Sequence, residues 1–120
     1  MGFAARPAPI TMRMACGTMH EYELYIPLSD NTGQLISPDR IESVKGRLRE
    51  RFGGFTHFPQ EGEGEWKTGG QMFRDRIVIL RVLTEEDPET RDWFHSLKHE
   101  LTKEFEQTDF LITVRTVDRI

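Results

Sequence analysis

The chain has 120 residues, the length of a single domain. Hydrophobic residues make up 37% and charged residues 30%, which is typical of a soluble globular protein and not of a disordered or membrane protein. The net charge of −4 disfavours a generic nucleic-acid-binding surface, which needs clustered Lys and Arg. A single cysteine excludes an internal disulfide framework and a zinc site with several cysteines.

The first 18 residues differ from the rest of the chain. They lack hydrophobic periodicity and carry no acidic residue, and Arg6, Pro7, Pro9 and Arg13 interrupt every apolar stretch that could serve as a secretion signal. We therefore expect residues 1–18 to be a disordered or non-native leader and residues 19–120 to be one domain. Without a targeting signal or an apolar run long enough to span a membrane, we expect the protein in the cytoplasm.

The first half of the domain predicts a strand, a helix and a second strand. Residues 21–28 alternate, with Tyr22, Leu24, Ile26 and Leu28 on one side. Ser37 followed by Pro38 is typical of a helix start, and Gly53-Gly54 of a helix end. Between them lies one apolar stripe, formed by Ile41, Val44, Leu48 and Phe52. Phe55 to Phe58 predicts a short second strand.

The second half predicts a strand, a helix and a strand. Residues 60–70 contain four glycines and are expected to form a loop, with Gly69-Gly70 as a hairpin turn. Met72 to Leu83 predicts the longest strand, which is apolar on both faces at residues 77–80. Asp87-Pro88 predicts the start of the second helix, and Phe110 to Val117 the last strand. The expected buried face of the second helix consists of Trp93, Phe94, Leu97, Leu101 and Phe105.

This order of elements indicates a ferredoxin-like α+β fold, βαββαβ, with a four-stranded antiparallel sheet and two helices on one face. The other face of the sheet would carry Tyr25 and apolar residues from the third strand. A strand that is apolar on both faces needs a second cover. We therefore expect a homodimer formed through the sheet face.

Several spaced motifs resemble a group of small uncharacterised prokaryotic proteins with a ferredoxin-like fold. The motifs are Tyr-Glu-Leu-Tyr-Ile-Pro-Leu at residues 22–28, Arg-Phe-Gly-Gly-Phe-Thr at 51–56, Pro59, Gly-Glu-Trp at 64–66, Phe-Arg-Asp-Arg-Ile-Val at 73–78, and Phe-Glu-Gln with Ile-Thr-Val at 105–114. The resemblance covers roughly residues 20–120. It implies the fold and no activity.

A pocket near the glycine-rich loop is the main candidate site. The candidate ligand-binding residues are Tyr25, Arg51, His57, Trp66, Arg74 and Asp75. His57 could act as an acid or base near neutral pH, and Trp66 could form an apolar wall. The structural alternative is that Asp75 pairs with an arginine and Trp66 plugs the end of the sheet.

Other motifs predict less. His95 and His99 have the spacing of two imidazoles on one metal ion, but two ligands are too few for structural zinc. No metal and no cofactor are therefore predicted. Residues 51–58 loosely resemble an RNA-recognition signature, yet they fall at a helix end and on the second strand, where that signature does not belong. Nucleic-acid binding is accordingly not expected.

Three functions remain open from the sequence. The leading hypothesis is a non-catalytic module that binds a small molecule or a protein, or assembles with one, through the open sheet face and the glycine-rich loop. The alternative is a cofactor-free enzyme of the dimeric α/β-barrel type, with His57 as base and Arg51 or Arg74 as anion clamp. The third is a single-stranded RNA-binding domain. No catalytic residue is assigned.

Overall fold

The computed structural model describes residues 17–58, 62–68 and 71–120, with the backbone alone for 62–68 and 71–76. The elements in chain order are β1 (Gly17–Pro27), α1 (Pro38–Phe52), β2 (Thr56–His57), β3 (Gly62–Thr68), β4 (Gln71–Glu85), α2 (Pro88–Glu104) and β5 (Ile112–Arg119). The predicted leader lies, for residues 1–16, outside the described residues. Gly17 and Thr18 already belong to β1, opposite Arg119 and Asp118 of β5.

Helix α1 begins and ends where its residue types predict. The Ser37 side chain accepts a hydrogen bond from the Asp39 amide, and Pro38 occupies the first turn, where its missing N–H costs nothing. At the other end, Gly53 adopts the left-handed conformation with φ of 81°, and its amide donates to the Arg49 carbonyl. Both caps therefore follow from local chemistry.

Helix α2 starts in the same way. The Asp87 side chain accepts a hydrogen bond from the Glu89 amide, and Pro88 follows it. The helix ends at Phe105, which has an ordinary φ of −95° and is fully buried. Packing of this aromatic ring, and not a glycine, accompanies the end of α2.

The sheet is antiparallel, with the order β2-β4-β1-β5 and with β3 also paired to β4. Strands β2 and β3 share one edge and together take the place of the second strand in the βαββαβ order. In the central pair, Tyr22 lies opposite Val82, Leu24 opposite Leu80 and Ile26 opposite Val78. The predicted ferredoxin-like fold is confirmed.

The hydrophobic core lies between one face of the sheet and the two helices. Its strand residues are Tyr22, Leu24, Ile26, Val78, Leu80 and Val82, and its helix residues are Val44, Leu48, Phe94, Leu97 and Leu101. Since side chains alternate along a strand, the residues between these core positions project from the opposite face of the sheet. Both helices thus cover the same face of the sheet.

The structure corrects one expectation about the elements. Residues 60–70 were expected to form a loop, but Gly62–Thr68 is a strand that pairs with β4 from Gly62↔Ile77 to Thr68↔Gln71. The alternation signal is weak here because glycines interrupt it, and the backbone pairing with β4 decides the outcome. The Gly69-Gly70 turn lies outside the described residues. Among the described residues, no helix is long and apolar enough to cross a membrane.

Candidate functional site

The face of the sheet away from the helices carries a polar cluster at its centre, which we call the sheet-face cluster. It consists of Glu21, Glu23, Tyr25, Arg81 and Arg115. Glu23 lies directly opposite Arg81 on β4 and opposite Thr113 on β5, and Glu21 lies opposite Arg115. The register of three strands thus brings these side chains together.

Glu23 is the centre of the cluster. Its Oε2 accepts hydrogen bonds from Arg81 Nη2 at 2.6 Å and from Arg81 Nε at 2.9 Å. Its Oε1 accepts a third bond from the Tyr25 hydroxyl at 3.1 Å. The Glu23 side chain is only 17% exposed. Such a partly buried, charge-assisted pair has a fixed geometry and is stronger than a neutral hydrogen bond.

These contacts keep Glu23 and Tyr25 from changing their protonation states near neutral pH. The hydrogen bonds from Arg81 are the main cause that lowers the pKa of Glu23, so its carboxylate stays ionised. Burial, followed by the hydrogen bond to Glu23, raises the pKa of Tyr25, so its hydroxyl stays protonated. The pair can therefore orient or stabilise charge, but it is poorly suited to act as a general acid and base.

A second ion pair extends the cluster. Arg115 Nη2 lies 2.7 Å from Glu21 Oε1, and Arg81 Nε lies 3.6 Å from the same oxygen. Two carboxylates and two guanidinium groups balance in formal charge. A balanced network of this kind is complementary to a molecule that carries both charges, since it offers acceptors for a cation beside donors for an anion.

Apolar and aromatic groups border the cluster. Ile79 lies opposite Tyr25, and the Arg81 guanidinium lies 4.7 Å from the centre of the Phe58 ring. Leu83 and Leu111 are 38% and 49% exposed. Met19, by contrast, is fully buried although alternation places it on this face. Accessible apolar side chains thus lie at both ends of the cluster, with Leu83 opposite Glu21 and Leu111 beside Tyr25.

The structure separates three of the predicted site residues. Tyr25 belongs to the sheet-face cluster. His57 is exposed and lies opposite Leu80, a core residue, which assigns it to the helix side of the sheet. Arg51 lies at the end of α1, with its guanidinium 5.8 Å from the Trp93 ring centre. Neither His57 nor Arg51 shares the face of Tyr25.

The other three predicted residues lie on the hairpin of β3 and β4, where only the backbone is described. Trp66 is opposite Phe73, Arg74 is opposite Glu65, and Asp75 is opposite Gly64. Their side chains lie outside the described residues, and their role in binding stays a prediction.

Glu23 and Arg81 were missed as site residues. Each sits at a polar position of an alternating strand, where charged residues are ordinary, and the two are 58 residues apart. The available signal was the alternation itself, which places Glu23 on the same face as Tyr25. The register of β1 with β4, which pairs Glu23 with Arg81, cannot be read from either strand alone.

Metal binding finds no support in the described part of the chain, where no group of three or more His, Cys, Asp and Glu side chains could hold an ion. His95 and His99 lie on the exposed side of α2.

No known protein-family profile matches the chain, and no curated protein matches it. A solved structure does share the fold: a phage SAM lyase in complex with S-methyl-5'-thioadenosine, with a TM-score of 0.61 and 14% sequence identity. The similarity covers 83% of this chain and 88% of the lyase chain. At this identity the similarity shows the fold, a ferredoxin-like α+β domain.

This comparison corrects the leading functional hypothesis. A non-catalytic binding or assembly module was expected, but the solved protein of the same fold is an enzyme with a bound small molecule. Of the hypotheses drawn from the sequence, the finding favours the alternative, an enzyme that acts on a small organic substrate. The comparison does not support the hypothesis of an RNA-binding domain.

Proposed function

We propose that this protein is an enzyme that acts on a small organic molecule carrying both positive and negative charge, bound at the sheet-face cluster. The observation that carries the proposal is the hydrogen-bonded group of Tyr25, Glu23 and Arg81, which is partly buried and charge-balanced. The fold that the chain shares with a SAM lyase supports an enzymatic role.

S-adenosylmethionine is the substrate that we propose to test first. It carries a sulfonium, an ammonium and a carboxylate group, so it combines the charges to which the cluster is complementary. The Glu23 carboxylate would face the cationic part and the guanidinium of Arg81 or Arg115 the carboxylate. The rings of Tyr25 and Phe58 offer surfaces on which a purine could stack.

The chemistry of a sulfonium suits a cluster that does not exchange protons. When a carbon–sulfur bond of the sulfonium breaks, its electron pair stays on sulfur, and the neutral thioether leaves without needing a proton. The carbon that is left behind is satisfied within the substrate by attack of its own carboxylate, which forms the new carbon–oxygen bond of a lactone as the carbon–sulfur bond breaks. The protein then needs to orient the substrate and stabilise charge, and this is what an ionised Glu23 and a protonated Tyr25 can do.

A second copy of the chain would complete the site. The cluster lies on a sheet face with exposed apolar side chains beside it, and a bound substrate must be shielded from water for its charges to be recognised strongly. A sheet-to-sheet homodimer would enclose the cluster between two protomers. The dimer is part of the proposal.

The test is to incubate the untagged protein with S-adenosylmethionine and to follow S-methyl-5'-thioadenosine by liquid chromatography and mass spectrometry. We expect release by the wild type and a loss of at least tenfold in rate for Glu23→Gln and Tyr25→Phe. The matched control is Glu42→Gln on α1, whose carboxylate is exposed and pairs with Lys45 at 3.2 Å. It should keep the wild-type rate.

Native mass spectrometry of the same preparation distinguishes a wrong choice of substrate from the absence of a small-molecule site. If the protein leaves S-adenosylmethionine intact but carries another small molecule that Glu23→Gln does not carry, the sheet-face cluster is a binding site and S-adenosylmethionine is not its substrate. A protein that neither turns over S-adenosylmethionine nor retains any small molecule contradicts the proposed function.

A further inference from the structure

The two arginines of the sheet-face cluster differ in how much of each guanidinium is available to a ligand. Arg81 is 34% exposed and donates two hydrogen bonds to Glu23. It also lies 3.6 Å from a Glu21 oxygen and 4.7 Å from the centre of the Phe58 ring. Contacts on both an edge and a face of the guanidinium fix its orientation and leave little of it open to a substrate.

Arg115 is anchored on one edge and open on the other. Its Nε and Nη2 atoms both contact the same oxygen of Glu21, at 2.8 and 2.7 Å. The Glu21 side chain is 11% exposed, whereas that of Arg115 is 67% exposed. Among the described residues, Arg115 Nη1 has no hydrogen-bond partner. Since a guanidinium binds carboxylates through paired N–H groups, Arg115 has a fixed position and donors still available for an anion.

The order of groups along β1 matches the order of groups in S-adenosylmethionine. Tyr25, Glu23 and Glu21 occupy alternate positions of the strand, so they form a row about 13 Å long on one face at about 3.3 Å per residue. Arg115 lies opposite Glu21 at one end of this row, and Arg81 lies opposite Glu23 in the middle. An extended S-adenosylmethionine carries its purine at one end, its sulfonium in the middle and its carboxylate at the other end. With the purine beside Tyr25 and the sulfonium near Glu23, the carboxylate reaches Arg115.

We propose, on the basis of the proposed function, that Arg115 is the specificity-determining residue that binds the carboxylate of the substrate, and that Arg81 is a positioning residue that holds Glu23. The site then selects sulfonium compounds that carry a carboxylate. As that carboxylate forms the carbon–oxygen bond of the lactone, it loses its negative charge, and the electron pair of the broken carbon–sulfur bond stays on sulfur. Arg115 therefore interacts more strongly with the bound substrate than with the transition state, and it contributes to binding more than to rate.

Two compounds that differ in the carboxylate test the role of Arg115. With S-adenosylmethionine, Arg115→Gln should raise KM about tenfold and change kcat far less. Decarboxylated S-adenosylmethionine lacks the carboxylate and cannot form the lactone, and isothermal titration calorimetry should show that Arg115→Gln binds it at least as tightly as the wild type does. Arg119→Gln is the matched control because Arg119 is exposed on the same strand, opposite Gly17, and its replacement removes the same charge. It should behave as the wild type does with both compounds.

The pH profile of Arg81→Gln tests the positioning role. The hydrogen bonds from Arg81 are the main cause that lowers the pKa of Glu23, and the other groups that act on this carboxylate, Tyr25 and Arg115, are unchanged in the variant. The loss of kcat/KM on acidification should therefore occur at higher pH in Arg81→Gln than in the wild type. An unchanged profile overturns the positioning role.

The outcomes separate this inference from the proposed function. If Arg115→Gln has the KM of the wild type, or loses affinity equally for both compounds, Arg115 does not recognise the carboxylate, and the proposed function stands. If the wild type neither turns over S-adenosylmethionine nor binds its decarboxylated form, the proposed substrate is wrong and this inference is overturned with it.

Discussion

Tyr22 and Tyr25 lie three residues apart on β1 and face opposite sides of the sheet. The hydroxyl of Tyr25 donates to Glu23, whereas that of Tyr22 has no partner among the described residues. Tyr22→Phe should leave the free energy of unfolding unchanged or raise it by up to about 1 kcal/mol, because an unsatisfied buried hydroxyl opposes folding. Urea denaturation measures this change.

Tyr25→Phe is the matched comparison at the other face. It removes the same atom but also a hydrogen bond to a charged group, and it should lower the free energy of unfolding by about 1–2 kcal/mol. Equal changes in the two variants would show that the two hydroxyls do not differ in their hydrogen bonding.

The low pKa of Glu23 predicts a pH dependence of stability. Because its pKa is lower in the folded than in the unfolded state, its contribution is fully present above the unfolded pKa and is lost as pH falls through the folded pKa. The difference in free energy of unfolding between wild type and Glu23→Gln should therefore be constant near neutral pH. It should shrink below pH of about 4.3, the ordinary value for a glutamate.

Chemical denaturation at a series of pH values checks this, with Glu42→Gln as the control. Glu42 is 63% exposed and pairs with Lys45 on the surface of α1, so its variant should track the wild type across the range. A Glu23→Gln difference that stays constant down to pH 3 would contradict an ionised, hydrogen-bonded Glu23.

At the scale of elements, a glycine inside α1 and the glycine that caps its C-terminus differ in the backbone conformation that they adopt. Gly53 ends the helix with φ of 81°, which an L side chain adopts at a cost of about 1–2 kcal/mol. Gly46 lies inside the helix, and a Cβ there would meet nothing within 4 Å. We expect Gly53→Ala to lower the free energy of unfolding by about 1 kcal/mol and Gly46→Ala to raise it by about 0.5–1 kcal/mol.

Thermal or urea denaturation of the two variants measures both changes in the free energy of unfolding, which we expect to have opposite signs. The same substitution at both positions keeps the change in side-chain chemistry constant. If both variants lost stability equally, the left-handed end of α1 would not be the cause.

The charges of the two helices are explained by how the elements pack. The sequence shows a basic α1 and an acidic region around α2, which on their own would suit either an external partner or head-to-tail pairing of protomers. In the structure, Arg47 Nη2 donates to both oxygens of Glu104, at 2.8 and 3.0 Å, and Arg47 Nη1 lies 3.5 Å from Glu100. Part of this complementarity is therefore satisfied within the chain, where such exposed pairs contribute little stability.

At the scale of the whole molecule, the sheet face opposite the two helices decides the oligomeric prediction. Ile79 is half-buried on that face beside Tyr25. If a second protomer packs there, Ile79→Lys should shift the protein from dimer to monomer, since an unpaired charge buried in an interface is costly. Native mass spectrometry and analytical ultracentrifugation measure the state.

The control is Leu35→Lys. Leu35 is 81% exposed in the loop before α1, so its substitution should leave the oligomeric state unchanged. A monomeric wild type would contradict the sheet-to-sheet dimer and with it the enclosed site.

Most of the fold could be predicted from the sequence because its signals are local. The alternation in β1, the caps Ser37 and Asp87, the prolines after them and the glycine at the end of α1 each act through residues within a turn or two. The strand Gly62–Thr68 was not predicted, since glycines leave too few side chains to show a period and its stability comes from pairing with β4.

The candidate site depended on tertiary structure. Tyr25 could be assigned to a sheet face from alternation alone, but Glu23, Arg81 and Arg115 meet because β1 lies between β4 and β5 in one particular register. A shift of one residue would place these charges on the opposite face. The sequence by itself determined every element except β3, their order and the side of the core, because these follow from periodicity and capping. Only the tertiary structure decided which distant side chains share a face and a hydrogen bond, because strand register is set by the packing of the whole sheet.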